Sequence, residues 1–174
     1  MSSILNPAGL IEKLDLRPAM TVADFGCGSG YFVVEIAKAV GDKGRVYAVD
    51  VLPTALESVR SLAKMRGLMN IETRWANLEK TSTLDKDSCD FIFLSNILFQ
   101  VENKYWAGIF EEINRVLKPT GQALIIDWKS DSHLGPPKNQ RVPGEKIKDL
   151  AARHLKFIKN IDVGDDHWGL LFRK

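Results

Sequence analysis

Val22-Ala23-Asp24-Phe25-Gly26-Cys27-Gly28-Ser29-Gly30-Tyr31 is the stretch on which the fold turns. A short apolar run ends in an acidic residue and breaks into three alternating glycines, which forces a sharp turn at the carboxyl end of a strand. Backbone free of side chains lets a ligand come close there, and a helix predicted to begin at Tyr31 would aim its free N–H groups at the same spot. The glycine order separates two cofactor chemistries. A dinucleotide fingerprint reads Gly-x-Gly-x-x-Gly, whereas here Tyr31 stands where that third glycine is needed. Asp24 adds a charge that repels a pyrophosphate and attracts an ammonium group. NAD is therefore disfavoured.

Upstream, Asn6-Pro7 reads as the N-cap and first residue of a short helix with Leu10, Ile11 and Leu14 on one face. Downstream, Phe32, Val33, Ile36, Ala37 and Val40 recur at helical spacing up to Gly41. A strand follows over 45–50, and Pro53 opens a helix that carries Leu56, Val59 and Ala63 and stops at Gly67. A third strand is expected over 71–75, and the nearly continuous apolar run 90–95 reads as a central strand covered on both faces. Trp106, Ile109, Phe110, Ile113 and Leu117 make one long helix, closed by a Lys118-Pro119-Thr120-Gly121 turn into a strand over 123–128. An irregular connection over 129–143 leads to a helix with Ile147, Leu150, Ala151 and His154. The last two runs, 157–163 and 167–173, are joined by Gly164-Asp165-Asp166 and read as an antiparallel hairpin. Such alternation implies a parallel sheet with right-handed crossovers.

The Asp24-to-Gly30 motif and this order of elements resemble the class I S-adenosylmethionine (SAM) dependent methyltransferases over essentially the whole chain. The resemblance implies an α/β, Rossmann-like doubly wound sheet of seven strands, order 3-2-1-4-5-7-6 with the seventh antiparallel, in one domain over residues 1–174. It also implies SAM as the cofactor. Asp50 ends the second strand where an acidic side chain can accept hydrogen bonds from both ribose hydroxyls, as the matching family residue does; capping the next helix is its other reading. The family pattern sets Val51 and Leu52 against the adenine and Asn77 and Leu78 near its edge. It cups the methionine part with the backbone over 95–100, from Ser95 on, and sets the Asn96 and Gln100 side chains at the pocket. Asn77 and Asn96 can each also be plain turn residues. Asp24, Gly26, Cys27, Gly28 and Gly30 complete the expected cofactor set, with Asp24 receiving the ammonium.

Methyl transfer is an in-line displacement at an activated carbon, so alignment supplies much of the rate and no catalytic residue need show in the sequence. Family acceptors lie over the ends of strands four and five, which here brings up Tyr31, Phe99, Gln100, Trp128, Lys129, His133, Arg141 and His167. His133 and His167 are conceivable bases, the alternative being surface histidines. Arg141 would steer an anionic acceptor or lie solvated on its loop. Residues 1–8 and 129–143 are the segments available as a lid. No Asn/Asp-Pro-Pro-Tyr-type tetrapeptide stands at 95–98, which disfavours DNA bases and protein glutamine as acceptors. Residues 95–101 and 167–172 resemble the group around the quinone and other small-molecule methyltransferases. The expected function is methyl transfer from SAM to a small molecule. A SAM-binding module without catalysis, serving as a partner or activator, is the alternative from another class.

With 174 residues, 45% hydrophobic, the chain is long enough for one core without disulfide or metal staples. Cys27 and Cys89 show no ligand-type spacing, so a reducing compartment and no metal are expected. The start of the chain lacks a basic leader followed by an apolar stretch, and no window approaches a membrane span, which points to the cytoplasm. Net charge is +2, with ten Lys/Arg against six Asp/Glu over residues 129–174. That asymmetry is too mild for the basic stripe of a nucleic-acid enzyme, and oligomer formation is left open.

Overall fold

The apolar runs form β1 (Thr21–Phe25), β2 (Arg45–Asp50), β3 (Ile71–Trp75), β4 (Cys89–Ser95), β5 (Leu117–Trp128), β6 (Lys156–Ile161) and β7 (His167–Arg173) in the computed structural model, which describes residues 5–174. One mixed sheet joins them in the order β3-β2-β1-β4-β5-β7-β6. The first five strands pair in parallel, and β7 runs antiparallel between β5 and β6. This is the expected topology, including the terminal hairpin.

Helices α1 (Pro7–Ile11), α2 (Val33–Val40) and α3 (Pro53–Arg66) cover one face, while α4 (Trp106–Val116) and α5 (Gly144–Ala151) cover the other. Alternation within the strands sorts the core accordingly. Phe91, Phe93, Leu124 and Ile126 pack with α1 to α3, whereas Ile92, Leu94, Ala123 and Ile125 pack with α4 and α5. The central strands are sealed on both sides, each fully buried branched or aromatic side chain adding roughly 1.5–3 kcal/mol. Parallel pairing then brings the carboxyl ends of β1, β2 and β4 into step, with Phe25 opposite both Val49 and Leu94.

Two boundaries differ from expectation. Helix α2 starts at Val33, not Tyr31, because Gly30 N–H closes a turn onto Cys27 O at 3.0 Å and Phe32 serves as the N-cap. Leu117 leaves the α4 stripe and begins β5, pairing with Cys89. Between that pair and Phe91–Gln122 the register shifts, so the proline-glycine turn at 118–121 bulges out of a strand instead of ending a helix. The bulge is pinned by Lys118 Nζ, which donates to Asp90 Oδ2 at 2.8 Å. No helix among the described residues is long and apolar enough to cross a membrane.

Candidate cofactor site

A cavity of about 560 Å³ opens at the carboxyl ends of β1, β2 and β4, a size that suits a nucleoside-containing small molecule. The glycine turn forms its floor. Gly26 and Cys27 N–H both donate to Val49 O, at 2.7 and 3.0 Å, which folds the turn back over β2. Gly26 must be glycine twice over: its φ is +76°, and a Cβ there would lie 2.0 Å from Ile97 Cδ1. A Cβ on Gly28, with φ of +51°, would meet no protein atom within 4 Å, so this part of the turn faces open space where a ligand can approach the backbone.

Asp50 ties the turn to the second strand. Its Oδ2 accepts Gly28 N–H and its Oδ1 accepts Leu52 N–H, each at 2.9 Å. This side chain thus holds the N–H of Leu52, the residue that precedes α3, and it also lines the cavity with the second lone pair on each oxygen still available. Asp24 is in the opposite situation. Its side chain lines the cavity at 2 % exposure, and no hydrogen bond from the described residues holds its carboxyl down. Burial, with the Asp50 charge adding to it, pushes Asp24 up to about 7. The same surroundings push the Cys27 thiol well above its ordinary range, which makes it an inert wall residue.

The remaining walls come from the segments after β2, β3 and β4. Val51 and Leu52, 47 % and 58 % exposed, line the cavity on one side, with the Trp75 indole N–H holding Val51 O at 2.9 Å. Asn77 and Leu78 line it as expected, but Asn77 Oδ1 accepts Glu79 N–H at 2.9 Å, so this side chain is first of all a turn former. Ser95 and Asn96 line the third side. Asn96 sits at φ +57° with its N–H on Ile126 O at 2.9 Å, and its Oδ1 is buried without a hydrogen-bond partner among the described residues. A buried acceptor in this state fits a donor supplied by a ligand.

Ser29, Phe32, Ala76, Glu79, Ile97 and Val101 also line the cavity and were not singled out from the sequence. Glu79 was traceable through the Asx turn at Asn77. Ile97 and Val101 were not, because a 3-10 turn at Leu98–Gln100 breaks the period that would have assigned them.

Of the residues expected around the acceptor, Tyr31 and Gln100 line the cavity. Tyr31 is 54 % exposed and its hydroxyl donates to Leu5 O, so it secures the N-terminal segment; the part of the proposed lid over residues 1–4 lies outside the described residues. The others, and Gly30 of the expected cofactor set, lie outside this cavity. Gly30 turns away from the cavity and lets α3 pack close, a Cβ there meeting Val59 Cγ2 at 3.2 Å. Phe99 packs against the α4 and α5 core. The Trp128 ring lies under Gly135 and, tilted by 38°, sits 4.0 Å from the His167 ring between centroids. His133 is exposed on its loop. The Arg141 guanidinium is held by the carbonyls of Pro136 at 2.9 Å, Leu134 at 3.1 Å and Ser132, which makes it a clasp on its own loop. His167 borders a separate depression with Lys129 and Gly144, at 6 % exposure, where burial lowers its pKa. Lys129 Nζ is held by the carbonyls of Gly164 and Asp165, at 3.2 and 2.9 Å.

Residues 22–121 match the family model described as a methyltransferase domain. The ubiquinone/menaquinone biosynthesis C-methyltransferase UbiE of Shewanella oneidensis is 32% identical over 124 residues, which are 71% of this chain and 48% of that protein; the chain thus spans about half the length of the curated relatives it matches. Among solved structures, a SAM dependent methyltransferase from Aquifex aeolicus superposes with a TM-score of 0.88 at 27% identity, covering 97% of this chain and 89% of that one. The geranyl diphosphate C-methyltransferase of Streptomyces coelicolor, solved with S-adenosyl-L-homocysteine, shares the fold at a TM-score of 0.78 and 15% identity, over 96% and 78% of the two chains. With its family motif forming the floor of the cavity, the chain belongs to the methyltransferase domain family of class I, SAM-dependent enzymes.

Proposed function

We propose that the chain transfers the methyl group of SAM to a small-molecule acceptor by in-line displacement, with S-adenosylhomocysteine as the second product. The observation that carries the reading is Asp24: a buried carboxylate on the cavity wall that no donor from the described residues satisfies. Such a group is costly until a cation meets it, and the cofactor brings an ammonium. Asp50 offers its remaining lone pairs to the ribose hydroxyls, while Val51 and Leu52 give the adenine an apolar seat. Asn96 Oδ1 offers a further acceptor, and the open face of Gly28 admits the ligand next to the backbone. These residues fit the cofactor in charge and in hydrogen-bonding sense.

When bound, SAM supplies an electrophilic methyl carbon on a sulfonium. The protein's part is alignment and exclusion of water, for which the buried Phe32 and half-buried Ile97 side of the cavity and the Gln100 amide are the available groups. The curated relatives are named for quinone biosynthesis, so electron-rich hydroxylated aromatic rings are the acceptors to try first.

Calorimetry with S-adenosylhomocysteine and with NADH tests the cofactor, and a methyl-release assay over quinols, catechols, thiols and amines tests the reaction. Binding of the former with turnover on one acceptor is expected. Tight NADH binding would overturn the cofactor reading; adenosylhomocysteine binding without turnover on any acceptor would favour the non-catalytic module.

A further inference from the structure

The last residue but one of strand β5 is a carboxylate that the cavity does not use. Asp127 is completely buried and is not among the cavity's lining residues. Its Oδ1 accepts Trp128 N–H at 2.8 Å and its Oδ2 accepts Phe99 N–H at 3.2 Å, with the Leu98 N–H also directed to it. Leu98 and Phe99 open the 3-10 turn that ends at Gln100. The turn's carbonyl side is held as well: Trp106 Nε1 donates to Leu98 O at 3.2 Å and to Val101 O at 3.1 Å. A short 3-10 turn has poor internal hydrogen bonds and leaves its first N–H groups without partners. Asp127 and Trp106 supply from outside what the turn lacks within. A neutral acceptor would satisfy the same N–H groups at a smaller desolvation cost, so a buried carboxylate here is used for the strength of its bonds.

We propose that Asp127 is a positioning residue for this methyltransferase, anchoring the Leu98–Gln100 turn and so setting where Ile97, Gln100 and Val101 stand against cofactor and acceptor. The three wall residues flank or end the anchored turn. Ile97 already leaves no room for a side chain at Gly26, so a small displacement of the turn is passed directly to the glycine floor. Gln100 Nε2 donates to Asn96 O at 2.7 Å, which carries the same displacement to the residue with the unpartnered Oδ1. The inference rests on the cofactor reading only for its effect on affinity; its effect on the turn does not need a ligand.

The test is hydrogen exchange on the ligand-free full chain, paired with adenosylhomocysteine calorimetry, for Asp127→Ala and Asp127→Asn. Asp127→Ala is expected to speed exchange at 98–101 while β1 and α2 keep their protection, and to weaken adenosylhomocysteine binding about tenfold. Asp127→Asn keeps one acceptor oxygen and should fall between it and the parent. Unchanged exchange at 98–101, or a loosened turn with full adenosylhomocysteine affinity, would overturn the proposal. Should Asp127→Ala fail to fold, Asp127→Asn decides alone, and parent-like exchange there would overturn it equally. Absence of adenosylhomocysteine binding in the parent would count against the cofactor reading, and the exchange result would still be read.

Discussion

Asp24 and Asp127 are the same residue in nearly the same place: each is one residue short of the carboxyl end of its strand, each is buried, and no ion pair among the described residues reaches either. What differs is the supply of donors. Two backbone N–H groups close on Asp127 at 2.8 and 3.2 Å, while none of the described residues closes on Asp24. Burial raises both pKa values, to about 7 for Asp24 and about 6 for Asp127. Hydrogen bonds pull the second back and the Asp50 charge pushes the first further. A satisfied buried carboxylate organises its own chain; an unsatisfied one at a cavity wall is organised for something that arrives.

The most damaging way to break this contrast is Asp24→Ala. If the carboxylate meets the ammonium of the ligand, adenosylhomocysteine affinity should fall on the order of a hundredfold, about 3 kcal/mol, as expected when one partner of a buried charge pair is removed. Calorimetry reads this directly, and a loss below threefold would mean that the ammonium sits elsewhere.

Titration is nearly as sharp. Only ionised Asp24 receives the ammonium, so affinity should be flat just above pH 7 and fall below it, approaching tenfold per pH unit toward pH 5. Asp24→Asn should flatten the profile, and a profile centred near pH 4 in the parent would refute the raised pKa.

Ligand-free stability should then separate the two aspartates by sign. Both carboxyls hold protons more tightly when folded than when unfolded, so between about pH 4 and 7 the native state binds the extra proton and stability drops as pH rises. Asp24→Asn removes a lone buried charge and should raise the melting temperature at pH 8 by several degrees, with a smaller gain at pH 5 that vanishes only below about pH 4. Asp127→Ala strips two N–H groups of their acceptor and should cost about 1–3 kcal/mol at pH 8. Thermal scans of both variants at the two pH values check the opposite signs.

The smallest expected effect concerns His167. His167→Asn touches the depression beside β7 and not the cofactor cavity, so adenosylhomocysteine affinity should stay within about twofold of the parent.

How much of this was legible in the sequence follows the same division. Asp24, Gly26 and Asp50 could be read because their neighbours in sequence are also their neighbours in function: a strand end, a turn and the next strand tip. Ser95 and Asn96 were legible for the same reason. Phe99, Trp128 and Arg141 were not, because their orientation depends on partners remote in the chain or on backbone carbonyls. Asp127 turns Phe99 N–H inward and leaves its ring on the core side, Gly135 lies on the Trp128 ring, and loop carbonyls take up Arg141. The α4 boundary was misread because Leu117 satisfies the helical stripe and the strand pattern equally; only Cys89 opposite it decides. Asp127 itself looked like one more residue of a strand terminus, since nothing local shows that a turn some thirty residues earlier folds back onto it.

The Arg141 clasp has a consequence for how this scaffold can change. Backbone oxygens, which every amino acid carries, are what the guanidinium grips between 132 and 136. Exchanging the exposed side chains of His133 and Leu134 therefore leaves the grip intact, and a library randomised at those two positions should fold as one shape while presenting many different rims.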